Sequence, residues 1–156
     1  MGNFKKLILF LHRWLGFISG LAVFIVSITG CIFCFQDDIQ DVLYSYRTVK
    51  AEQKPFIKPS ELKALTTAKY PKAKITLVIF YGPERAAQVR ILQKKVAKSV
   101  YYNPYSGAYL HTEIIKENFF LFIKEVHLNL FLPAKIGKLV NGICVIIFVV
   151  IMISGL

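Results

Sequence analysis

Two apolar runs constrain what this chain can fold into more than any other feature. The first spans residues 7–35 and contains "LHRWLGFISGLAVFIVSITGCIFCF", where His12 and Arg13 are its only ionisable side chains apart from cysteines. The second spans about 136–156, with Lys138 and Asn141 near its start and nothing charged after them. A helix needs roughly 20 apolar residues to cross hydrocarbon, where it satisfies its backbone polar groups internally. Both runs reach that length, so the expectation is two transmembrane helices.

The chain is 55% hydrophobic yet carries a formal charge of +11, which fits a membrane protein with a basic polar part. Its lysines are scattered and no nucleic-acid motif occurs, so nucleic acid is not the expected partner. Attraction to the anionic headgroups of a lipid bilayer, or to an anionic ligand, fits better. Cys31, Cys34 and Cys144 all lie inside the apolar runs and imply no disulfide framework. Lys5, Lys6 and Arg13 precede the first span, and Asp37, Asp38 and Asp41 follow it. The positive-inside rule therefore predicts a cytoplasmic N-terminus and an outward-facing middle region. The second run stops at Leu156 without an interfacial anchor, so the chain reads as the N-terminal part of a longer protein, with further helices or a second subunit to come.

The expected organisation is a first transmembrane helix and its extension (1–46), a linker containing Pro55 (47–57), a small α+β module (58–111), an interfacial amphipathic helix (112–133) and a second transmembrane helix (134–156). Within the module, a helix opens at Ser60 as a hydroxyl N-cap and is stopped by Pro71. Strands follow at 75–81, 87–92 and 99–102, then the turn Asn103-Pro104-Tyr105-Ser106-Gly107. So small a unit is expected to lack a deep core and to lean on the membrane or a partner segment. The fold class is membrane α-helical with a small α+β extracytoplasmic module, a helix plus an antiparallel meander, between two spans.

On a helical wheel at about 100° per residue, Gly16, Gly20, Ser27, Gly30, Cys31 and Cys34 fall on the side of His12, with Val23 their one bulky companion. The opposite face carries Trp14, Ile18, Leu21, Ile25 and Ile32, interrupted by Ala22 and Thr29. Gly16 and Gly20 form a GxxxG pair that admits another backbone or a flat ligand. Two readings stay open: helix packing with His12 at the interface beside Arg13 and Trp14, or His12 as an axial ligand to haem above a glycine stripe. His127 is a second candidate, against a solvated histidine at the edge of the interfacial helix's polar half. His111, after the turn, is expected in solvent. Ile28-Thr29-Gly30-Cys31 also resembles a lipobox that would make Cys31 a cleavage and acylation site, although the hydrophobic run continues past it. The middle region holds no catalytic motif.

"LHRWLGFISGLAVFIVSITGCIFCFQDDI", "VYYNPYSGAYL" and "VHLNLFLPAKIGKLVNGICVIIFVVIMISGL" together resemble the PepSY-associated transmembrane proteins of bacteria, over nearly the whole chain. The resemblance implies a PepSY-like module over 58–110 facing the periplasm, in an inner-membrane protein. It also implies haem b, with His12 and His127 as ligands to the iron, Gly16 and Gly20 beside the cofactor, and partner histidines from other helices. Some members reduce ferric siderophores, which makes a haem-dependent electron-transfer component of iron uptake the leading expectation. The alternative is a non-enzymatic tethered module that binds a peptide, a peptidase or a partner protein through a sheet edge.

Overall fold

The computed structural model describes residues 2–155. It divides into two compact units, one made of the two ends of the chain, up to Phe35 and from Phe122, and the other of Gln36–Leu121.

In the first unit, α1 (Asn3–Cys34) and α5 (Ala134–Ser154) are the two helices long and apolar enough to cross a membrane. Most of their large side chains are exposed, including Phe10, Phe17, Phe24, Leu139, Ile146 and Ile153. That is how a lipid-facing helix looks, whereas the core helix of a water-soluble domain hides such residues. The two run antiparallel: Ile151 meets Gly16, Phe148 meets Gly20, and Ser154 lies beside His12. A Cβ at Gly16 would stand 3.2 Å from the Ile151 side chain, so the glycine sets how closely α5 approaches.

The buried face of α1 is not the whole small-residue arc of the wheel. Ser27, Cys31 and Cys34 are exposed, while Ser19 and Thr29 are buried. The two hydroxyls donate to the carbonyls of Leu15 (2.6 Å) and Ile25 (2.7 Å) one turn back, which satisfies their polarity within the helix and lets them pack.

α4 (Phe119–Asn129) stands within the expected helix at 112–133, and it is packed more than surface-lying: Phe120, Ile123, Val126 and Asn129 are buried at spacings of three. Its end turns through Leu130 and Phe131, both at positive φ (50° and 64°), with the Leu130 N–H donating to the Val126 carbonyl at 2.8 Å. Pro133 follows and α5 begins. Gly137 allows this corner, because a Cβ there would stand 2.7 Å from Asn129 Cα.

In the second unit, α2 (Gln36–Leu43) is a separate helix, where a continuous extension to Tyr46 was expected. Phe35 ends α1 with φ −95° and ψ 16°, and Asp37 and Asp38 occupy the first turn of α2, the end where carboxylates favour a new start. A 3-10 turn, Ser45–Arg47, comes next. α3 (Pro59–Lys69) starts one residue ahead of the expected Ser60 cap: Lys58 is the N-cap, and Pro59, whose missing N–H costs nothing at the first helical position, opens the helix.

A four-stranded antiparallel meander follows in the order β1 (Lys74–Ile79), β2 (Ala87–Gln93), β3 (Val96–Tyr102), β4 (Tyr109–Ile114). Alternation gives the sheet two different faces. One presents Val89, Ile91, Val100 and Tyr102, which with Leu62 of α3 and Ala87 form a fully buried core. The unit therefore has a core of its own, contrary to the expectation from its size. Thr66 adds a buried hydroxyl to it, which donates to the Leu62 carbonyl at 2.7 Å and bonds the Tyr102 hydroxyl at 3.1 Å. The other face presents Gln88, Tyr101, His111 and Glu113 from successive strands, with Gln88 opposite Tyr101 and Tyr101 opposite His111.

Candidate functional site

The two histidines singled out in the sequence lie at opposite ends of α1. His12 is on its fourth turn or earlier, whereas His127 meets it at Val26, Thr29 and Gly30. At about 1.5 Å per residue, the intervening helix separates them by roughly 20 Å or more.

Each ring is anchored in the same way. His127 Nδ1 is 2.9 Å from the Val26 carbonyl, and a carbonyl only accepts, so Nδ1 carries the hydrogen. Thr29 Oγ1 lies 3.5 Å from the same nitrogen. Asn141 of α5 holds the backbone of this residue, donating from Nδ2 to the His127 carbonyl at 3.2 Å. The ring lies over Gly30, where a Cβ would stand 2.9 Å from its Cε1. At the other end, the Ser154 hydroxyl donates to the Ile151 carbonyl at 3.0 Å and lies 3.3 Å from His12 Nδ1. That hydroxyl ties Nδ1 to α5, and the ring tautomer sets which of the two donates. Both imidazoles are half-buried and, among the described residues, neither Nε2 has a hydrogen-bond partner.

An imidazole with Nδ1–H engaged and Nε2 bare is oriented as a metal-ligating histidine is oriented. The donor set thus fits one axial ligand to haem at each end of α1. Among the described residues no three His, Cys, Asp or Glu side chains gather, so neither end holds a multidentate metal site. Gly16 and Gly20 lie against α5, through Ile151 and Phe148. Cys31 and Cys34 are exposed free thiols in the last turns of α1.

The sequence reading missed a polar aromatic cluster in the second unit. Tyr46 stacks on His111 at 4.1 Å between ring centroids (22°) and on Tyr44 at 5.5 Å (21°), and tilts over Tyr101 at 5.0 Å. Tyr101 donates to Glu113 Oε2 at 3.2 Å, and Gln88 Nε2 donates to the Tyr101 hydroxyl at 3.3 Å. Burial pushes the Tyr46 phenol up to about 12, with Glu113 adding to the shift. Burial and then Glu113 push Tyr101 higher still. His111 is therefore half-buried in a stack, not free in solvent.

Beside this cluster, Arg47 bonds Asp41 (2.8 Å), Gln40 (2.7 Å) and Asp37 (2.9 Å), and Arg85 also pairs with Asp41. Alternating tyrosines in "YSYRT" and carboxylates at 37 and 41, one helical turn apart, were the available signals.

A comparison with curated proteins finds no match. A family model described as "PepSY-associated TM region" matches residues 9–156. That match takes in both long apolar helices, both histidines and the whole sheet, and the chain belongs to the PepSY-associated transmembrane family.

Proposed function

We propose that this membrane protein is a haem-binding electron-transfer component, with His12 and His127 each supplying one axial ligand. The observation that carries the reading is the matched anchoring of the two rings, Nδ1 held and Nε2 bare, at opposite ends of one apolar helix. A bound haem would supply one-electron chemistry, and the polypeptide supplies ligands, orientation and insulation from water. Val26 fixes the tautomer of His127, Ser154 holds Nδ1 of His12, Asn141 steadies the backbone of His127, and Gly16 and Gly20 bring α5 close enough for Ser154 to reach His12. Two haems so placed would divide the roughly 30 Å of hydrocarbon into shorter transfers.

With Lys5, Lys6 and Arg13 before α1 and three aspartates after it, the N-terminus belongs in the cytoplasm and the sheet unit outside the bacterial inner membrane. The electron acceptor would then be extracytoplasmic, with siderophore-bound ferric iron the leading class.

The test is haem content of the protein purified from membranes, for the unaltered chain, His12→Ala, His127→Ala and the double variant. Each single variant is expected to lose about half of the haem and the double variant all of it, in line with the loss of one ligand per site. Unchanged content in the folded double variant would overturn the assignment. The competing reading, a tethered binding module, is supported by the edge strand β1, whose Lys74, Thr76 and Leu77 are exposed. It requires no haem and no effect of either histidine.

A further inference from the structure

Beside the tyrosine stack lies a cavity of about 520 Å³, lined by Tyr44, Tyr46, His111, Glu113, Glu117 and Asn118 among others. Volumes of this order hold small organic ligands. Every lining residue belongs to the second unit, and β4, the turn Ser45–Arg47 and the start of α4 supply them.

The charges of the wall are one-sided. Glu113 and Glu117 are its acidic side chains, and among the described residues no lysine or arginine lines it, although the chain as a whole carries +11. The nearest guanidinium, Arg47, is spent on Asp37, Asp41 and Gln40. Glu113 is held in place from two sides, by the Tyr101 hydroxyl and by Asn118, whose Oδ1 in turn accepts the N–H groups of Phe120 (2.8 Å) and Leu121 (3.2 Å). An ionised carboxylate offers about four acceptor sites, so two such bonds leave capacity for a ligand. Burial keeps the Tyr46 phenol neutral at physiological pH, and the rings of the stack carry a quadrupole that attracts cations.

We propose that this cavity binds an organic ammonium or guanidinium group, the aromatic stack taking its apolar stem and Glu113 and Glu117 its charge. A metal ion is a poor fit, since His111, Glu113 and Glu117 all line the wall but, among the described residues, do not gather into a group that could hold one, the His111 ring being stacked on Tyr46. An anion would face two carboxylates. The chemistry is shared by small alkylammonium or guanidinium solutes and by the basic side chain of a peptide. The proposal is independent of haem.

The experiment uses the full chain in nanodiscs of zwitterionic lipid, which do not themselves recruit cations, with probe binding followed by saturation-transfer NMR. The probes are butylammonium, butylguanidinium, butanol, butyrate and the tripeptide Gly-Lys-Gly with blocked ends. Binding of the two cations, with butanol and butyrate at least about tenfold weaker, is expected. Glu113→Gln and Glu117→Gln should each weaken the cations several-fold without affecting the sheet's circular dichroism; Glu117 is exposed, so its variant leaves the fold intact. Tighter binding of the tripeptide than of butylammonium assigns the source to a peptide, and the reverse assigns it to a small solute. Equal binding of butanol or butyrate, or cation binding unchanged in both glutamine variants, would overturn the proposal.

Discussion

At the scale of single residues, glycines decide which contacts α1 and its neighbours can make. A Cβ at Gly137 would overlap the backbone of Asn129, at Gly30 it would press on the His127 ring at 2.9 Å, at Gly16 it would crowd Ile151 at 3.2 Å, and at Gly20 it would rest on Phe148 at 3.9 Å. Thermal unfolding in detergent should rank the alanine variants in that order, with a loss of about 1–3 kcal/mol at Gly30 and little change at Gly20. Gly30→Ala should also lower haem content, because it moves an anchored ring. The tyrosine stack carries a separate signature. Tyr46 titrates at about 12 in the folded chain against 10.0 in the free side chain. Its contribution is complete below pH 10 and is lost as pH rises toward 12, because the unfolded chain gives up the proton first. A pH titration of unfolding should show the sheet unit weakening across that window, with a shallower slope in Tyr46→Phe. His12 was legible as a special residue because an ionisable group in an apolar run stands out. His127 was a candidate mainly through the resemblance, since a wheel places it at the edge of a polar half and cannot foresee that the ring turns to a carbonyl of α1.

Among the elements, the apolar helices and three of the four strands could be read because their signals are local, whereas β4 (Tyr109–Ile114), after the Asn103–Gly107 turn, was not among the expected strands. Nor could the hairpin between β2 and β3 be read. Lys94 and Lys95 both adopt positive φ, 48° and 66°, in a two-residue turn that ordinarily selects Asn-Gly. Lys-Lys gives no such signal and is strained there. Lys94→Asn with Lys95→Gly should raise the denaturation midpoint of the sheet unit, by about 1 kcal/mol in stability. The break between α1 and α2 was equally silent, as Phe35 continues the apolar pattern through it. Arg47 fastens α2 to the turn that follows by bonding three of its side chains, two of them on poorly exposed atoms. Arg47→Leu should destabilise the unit by about 1–3 kcal/mol, since it strands Asp41 with only Arg85, and denaturant unfolding measures it. The tyrosine and glutamate cavity was invisible in the sequence because its wall is assembled from residues 44–46 and 111–118, far apart in the chain and joined only by the sheet.

For the whole molecule, family membership and two apolar helices make this a membrane protein, and the sheet unit with its own core is an independent element between them. Fold class was legible because hydrophobic periodicity records it. The proposed function rests on two half-sites, each a single anchored imidazole. The most direct test of the central claim is a reduced-minus-oxidised absorption spectrum of the protein purified from its native membranes. The account predicts a b-type haem band that diminishes in both His12→Ala and His127→Ala. A featureless spectrum from folded protein would contradict it.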